Sequence, residues 1–74
     1  MDVQLVTRAG CHLCEEALAL LRGLGVEPRL VDVDEDPELS ALYDFRVPVV
    51  LRDGRVVGEG RLERERLAVA LGRR

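Results

Sequence analysis

Thr7-Arg8-Ala9-Gly10-Cys11-His12-Leu13-Cys14-Glu15-Glu16-Ala17-Leu18 holds the chain's two cysteines and its single histidine. The apolar run from Val3 to Val6 leads into this stretch, and a helical pattern leads out of it. The thiols therefore sit where a strand ends and a helix begins. Cysteines separated by two residues on the first turn of a helix can close a disulfide with each other. Cys11 also faces the positive end of the helix dipole, which favours thiolate over thiol. Disulfide exchange is the first chemistry this pattern suggests, and the surrounding chain decides whether a redox scaffold carries it.

Working outward, residues 2–7 read as a strand with Val3, Leu5 and Val6 apolar, a run that suits a sheet covered on both faces. Thr7 to Gly10 is the turn. Residues 12–22 read as a helix whose stripe is Leu13, Ala17, Leu20, Leu21 and Leu24. Glu15 and Glu16 lie in its first turn, and Gly23 and Gly25 stop it. Val26 to Val33 reads as a second strand with Leu30, Val31 and Val33 apolar. Strand, helix and strand make a βαβ unit, so a parallel pair with a right-handed crossover is expected.

Asp36 is expected to cap a short helix, with Pro37 at its first position and Leu39, Leu42 and Tyr43 along one side. Asp44 is expected to end that helix, where a left-handed backbone is tolerated. Val47 to Leu51 reads as a third strand with Pro48 at its start, the place where a strand accepts proline. Asp53-Gly54 is a hairpin signal. Arg55 to Val57 pairs back, and Gly58-Glu59-Gly60 breaks the strand. Glu63 to Leu71 forms the last helix, with Leu67, Val69, Ala70 and Leu71 apolar, and Gly72-Arg73-Arg74 is expected to fray. The order is βαβαββα in one α/β domain over residues 1–74, a four-stranded mixed sheet flanked by helices.

Composition narrows the function. A chain of 74 residues with 47% hydrophobic and 34% charged residues is a small globular domain, with a stability margin of about 3–5 kcal/mol. Its net charge of −3 and its two aromatics, Tyr43 and Phe45, do not make a nucleic-acid surface. No apolar run approaches the ~18 residues of a membrane span. The N-terminus has no basic region followed by an apolar one, so a cytoplasmic protein without a secretory signal is expected. In that setting a close cysteine pair reads as catalytic or metal-binding rather than structural. All eleven basic residues are arginine, which excludes lysine chemistry.

With these parts in place, the chain resembles the glutaredoxin-like branch of the thioredoxin superfamily over nearly its whole length. The resemblance rests on Cys11-His12-Leu13-Cys14 at a strand-to-helix turn, the βαβαββα order, Val47-Pro48 opening the third strand, and the Asp53-Gly54 hairpin before a glycine-containing turn and a last helix. It implies a thiol-disulfide oxidoreductase of the glutaredoxin or thioredoxin type, and a cis-proline at Pro48 beside the active site. The sequence also departs from the family pattern. His12-Leu13 stands where Pro-Tyr is usual, and Arg8 stands where a lysine is usual, keeping the charge. Gly58-Glu59-Gly60-Arg61-Leu62 lacks the double glycine and acidic pair that bind glutathione.

In this reading Cys11 is the nucleophile, and Cys14, inside the helix on the side of Leu18 and Leu21, resolves the mixed disulfide. His12 either lowers the Cys11 pKa or shuttles a proton, or is simply exposed. Leu13 either contacts the partner or packs inward. Arg8 either stabilises the thiolate, meets an acidic partner, or is solvated. Val47 would present backbone groups to a bound peptide or thiol, as in strand addition. Asp32, Asp34, Glu35 and Asp36 read as a solvated loop and helix cap, and the Arg-Glu alternation from Arg61 to Arg66 as an exposed helix face.

The expected partners are a disulfide-containing protein or a low-molecular-weight thiol, with glutathione or a flavoprotein reductase upstream. No cofactor is expected, and the protein is expected to be a monomer. A binding module without turnover would not need both thiols. The alternative function is a metal-binding module, either copper-carrier-like or sharing an iron-sulfur cluster between two chains. Copper carriers have the order βαββαβ and a methionine two before the first cysteine, where Ala9 stands. Zinc needs about four ligands, and Cys11, His12 and Cys14 supply at most three.

Overall fold

Val3–Thr7 forms the first strand, β1, and His12–Gly23 the first helix, α1. There follow β2 (Arg29–Asp32), a 3₁₀ turn (Val33–Glu35), α2 (Pro37–Tyr43), β3 (Val49–Arg52), β4 (Arg55–Glu59) and α3 (Arg64–Ala70). The structure is a computed structural model that describes residues 1–73; Arg74, expected to fray, lies outside them. The four strands form one sheet in the order β2-β1-β3-β4. The β1–β2 pair is parallel, and β1–β3 and β3–β4 are antiparallel. The expected mixed α/β architecture is the one observed.

The sheet is covered on both faces, which explains the dense apolar β1. Val3, Leu5 and Val50 face one way and pack with Ala17, Leu21 and Leu24 of the α1 segment and Leu67, Ala68 and Leu71 of the α3 segment. Val6, Val49 and Leu51 face the other way and meet Val33, Leu39 and Tyr43 from the 3₁₀ turn and α2. The period-two alternation of a strand thus divides consecutive residues such as Leu5 and Val6 between two cores. Within α1, Cys14 joins Ala17 and Leu21 among the buried residues, so the buried stripe runs through the second cysteine rather than through Leu13.

The second strand is shorter than expected. Val26 is buried, but it closes α1: its N–H donates to Leu21 O at 2.9 Å and the Gly25 N–H to Arg22 O at 3.0 Å. This is a Schellman motif, with Val26 packed against the helix it terminates. At the other end, the Asp32 carboxylate accepts from the Asp34 N–H and turns the chain into the 3₁₀ segment, which places Val33 in the second core. Leu30 shares Leu5's face by register yet is 52% exposed, because β2 is an edge strand.

The later segments carry further corrections. Asp36 caps α2 as expected, accepting from Glu38 N and Leu39 N at 3.0 and 3.2 Å. Asp44 ends that helix in the right-handed region, not the left-handed one, and Leu42 is exposed instead of sharing the face of Leu39 and Tyr43. Asp53 and Gly54 both take positive φ, 51° and 84°, as a primed hairpin turn requires. β4 runs through Gly58 to Glu59 by means of a register shift opposite Val50 and Leu51, so the expected break comes later. In α3 the buried residues are Leu67 and Ala68, with Leu71 following, while Val69 is 54% exposed. Among the described residues no helix is long and apolar enough to cross a membrane.

Candidate functional site

β1 delivers the chain to the turn before Cys11, where Gly10 takes a φ of 75° that a side chain would strain. Cys11 itself is extended (φ −89°, ψ 107°) and is the N-cap of α1. Its Sγ accepts from the Cys14 N–H at 3.2 Å, and its carbonyl accepts from the Glu15 N–H at 3.2 Å. The sulfur thus sits where the helix presents unpaired N–H groups and positive potential, the environment that favours a thiolate.

Cys11 and Cys14 are joined as a disulfide, with Cα atoms 5.2 Å apart. Their exposure differs: Cys11 is half-buried at the surface, and Cys14 is 3% exposed. The first cysteine keeps part of its surface open to solvent, while the second is buried on the same helix stripe as Ala17 and Leu21. This asymmetry is what an ordered two-step exchange needs.

His12 does not lean on the thiols. Its side chain is 83% exposed and faces Glu16 (Nε2–Oε2 3.1 Å) and Glu15 (Nδ1–Oε2 3.6 Å) one turn along. Leu13 is half-buried and belongs to neither core cluster.

Arg8 is engaged by two aspartates of its own chain. Its Nε and Nη2 donate to the two oxygens of Asp34 at 2.9 and 2.8 Å, and Nη1 donates to Asp44 O at 3.0 Å. Nη2 also pairs with the Asp44 carboxylate. These bonds to Asp34, then Asp44, raise the Arg8 pKa, and the Arg8 guanidinium holds the Asp34 carboxyl below its usual range. The charge is spent on tying the thiol-bearing turn to the 3₁₀ segment and to the end of α2.

The Val47–Pro48 peptide bond is cis. Pro48 is fully buried, and its carbonyl accepts from the Gly60 N–H at 2.8 Å. Val47 is half-buried against the second core, and among the described residues its own N–H and C=O have no backbone partner. The segment just before it is held by Arg46, which donates to both Glu59 oxygens (Nε–Oε2 2.7 Å, Nη2–Oε1 2.8 Å) and lies over the Tyr43 ring. Sequence reasoning did not assign Asp34, Asp44, Arg46 or Glu59 to the site. Only their charges were visible, and the pairs span 13 to 36 residues.

A model of the glutaredoxin-like domain (DUF836) matches residues 2–72. An uncharacterised protein of Mycobacterium tuberculosis is 36% identical over 81 residues, covering 97% of this chain and 84% of that protein. The X-ray structure of protein XcR50 from X. campestris superposes with a TM-score of 0.82 at 30% identity, covering 96% of each chain. Thioredoxin 1 from Thermosipho africanus superposes at 0.57 with 16% identity over 97% of this chain and 96% of that one, a likeness of fold.

Proposed function

Because the chain belongs to the glutaredoxin-like domain family and has the thioredoxin-like fold, we propose that it is a thiol-disulfide oxidoreductase acting through Cys11 and Cys14. The observation that carries this reading is the cysteine pair itself, closed as a disulfide at a helix N-terminus with one cysteine half-exposed and the other buried.

In the reduced state the Cys11 thiolate attacks one sulfur of a substrate disulfide. A mixed disulfide forms, and the other substrate sulfur leaves as a thiolate. Cys14, deprotonated, then attacks Cys11 Sγ, closes the internal disulfide and releases the second substrate thiolate. Two electrons pass from the dithiol to the substrate, and the two protons lost by the cysteines end on the released thiols. A thiol or dithiol reductant restores the reduced pair by the same exchange in reverse.

The Cys14 N–H and the α1 N-terminus supply the stabilisation of the Cys11 thiolate, while the guanidinium of Arg8 is engaged by Asp34 and Asp44. The unpaired backbone of Val47 offers an edge along which the substrate segment can lie, as in strand addition. Leu13, half-buried between the two cysteines in sequence and outside both cores, offers the substrate an apolar contact.

The test uses the fully reduced protein and excess bis(2-hydroxyethyl) disulfide. The expected result is loss of two hydrogens from the protein by mass spectrometry, with release of two molecules of 2-mercaptoethanol per chain. A reduced protein that stays unchanged and releases no thiol would overturn the proposal.

A further inference from the structure

We propose that Phe45 is a specificity-determining residue of this site, an aromatic anchor for the aliphatic side chain that flanks a disulfide in a protein substrate. The inference rests on the oxidoreductase reading above and deepens it, because it favours protein disulfides over small ones.

Phe45 is 96% exposed and belongs to neither core cluster. It stands in a tight turn closed by the Arg46 N–H on Tyr43 O at 2.9 Å. Such turns favour glycine, proline, asparagine, aspartate and serine for reasons of backbone geometry. A phenyl ring there contributes nothing to the fold and leaves about 150–250 Å² of apolar surface in water. Leu42, three residues earlier, is a second exposed apolar side chain, at 59%.

The turn that carries the ring is also held in place for a partner. Both of its neighbours in sequence are fixed by ion pairs. Asp44 is bound through its carbonyl and its carboxylate to Arg8, and Arg46 is bound through both its Nε and Nη2 to Glu59. The backbone that presents Phe45 is therefore anchored on either side, while the ring between is free. Little backbone ordering entropy remains to be lost when a partner covers it.

Its location ties it to the chemistry. The Asp44 carbonyl rests on the guanidinium of Arg8, whose own carbonyl accepts from the Cys11 N–H at 3.3 Å. Phe45 thus lies on the turn adjoining the thiol loop, two residues before the unpaired Val47 backbone. A segment lying along Val47, with its disulfide at Cys11, passes this turn. An aliphatic side chain next to its cysteine can bury against the phenyl ring. A small disulfide without such a side chain gains nothing from it.

The experiment compares the wild-type protein with Phe45→Ala and Phe45→Leu, all fully reduced. The probes are a synthetic peptide whose internal disulfide is flanked by leucine, the same peptide with serine for leucine, and bis(2-hydroxyethyl) disulfide. Wild type should oxidise faster with the leucine peptide than with the serine peptide. In Phe45→Ala the rate with the leucine peptide should fall about tenfold, with the rate on bis(2-hydroxyethyl) disulfide changed less than about twofold. Phe45→Leu should keep most of the wild-type rate. Equal rates on the two peptides in wild type, or an equal fall on all three probes in Phe45→Ala, would overturn the assignment alone. A wild-type protein that reacts with none of the probes overturns the oxidoreductase reading and this one with it.

Discussion

Replacing Cys14 by serine is expected to leave a protein that attacks disulfides and cannot release them. Cys11 keeps the helix N-terminus and the N–H of residue 14, so its thiolate still forms the mixed disulfide. The group that resolves the bond is gone, and a serine hydroxyl is no nucleophile towards sulfur at neutral pH. On incubation with excess bis(2-hydroxyethyl) disulfide, the mixed species should rise from a trace to roughly one adduct per chain. The partner variant, Cys11→Ser, should form no adduct, because Cys14 is 3% exposed and out of reach. Intact-mass measurement reads both. Adduct on Cys14 in the Cys11→Ser protein, in amounts matching those on Cys11 in Cys14→Ser, would reverse or abolish the assigned roles.

The second large effect concerns stability. Leu21 is fully buried in the core between the sheet and α1, among Val3, Leu5, Val50 and Leu67. Truncating such a leucine to alanine costs about 2–5 kcal/mol through lost burial and the cavity left behind. A domain of this size has a margin of about 3–5 kcal/mol to lose. Leu21→Ala should therefore lower Tm by roughly 10–30 °C, and at the upper end leave the chain unfolded at room temperature. Leu30→Ala is the contrasting case. Leu30 is an apolar strand residue by sequence but is 52% exposed at the sheet edge. Its truncation should change stability by no more than about 0.5 kcal/mol. Thermal unfolding followed by circular dichroism separates the two. Equal losses would mean that Leu30 is packed as deeply as Leu21.

That contrast shows where sequence reading reaches. β1, α1 and the cap of α2 were legible because their signals are local: an apolar run, a helical stripe, Asp36 followed by Pro37. The mixed sheet followed from the order of elements together with the parallel preference of a βαβ crossover. The extent of β2 was not legible, because burial at Val26 and Val33 arises from a helix stop and a 3₁₀ turn that use the same residue type as a strand. In α3 the apolar letters of Val69 and Ala68 do not say which one faces the sheet.

At the site, the cysteine pair and the proline were readable from their spacing and from a family resemblance. Arg8 was not, because its partners, Asp34 and Asp44, lie 26 and 36 residues away, and nothing local distinguishes a clamped arginine from a free one. The same holds for Arg46 and Glu59. Phe45 was visible only as one of two aromatics, and its exposure became apparent once the folded chain left it outside both cores.

The central claim is the asymmetry between the two thiols. It is tested most directly by the alkylation rate of each cysteine against pH in the fully reduced protein, resolved by mass spectrometry of the digested chain. The account predicts that Cys11 reacts with a midpoint well below the free-thiol value of about 8.5 while Cys14 stays slow throughout. Two cysteines that titrate alike near the free value would contradict it.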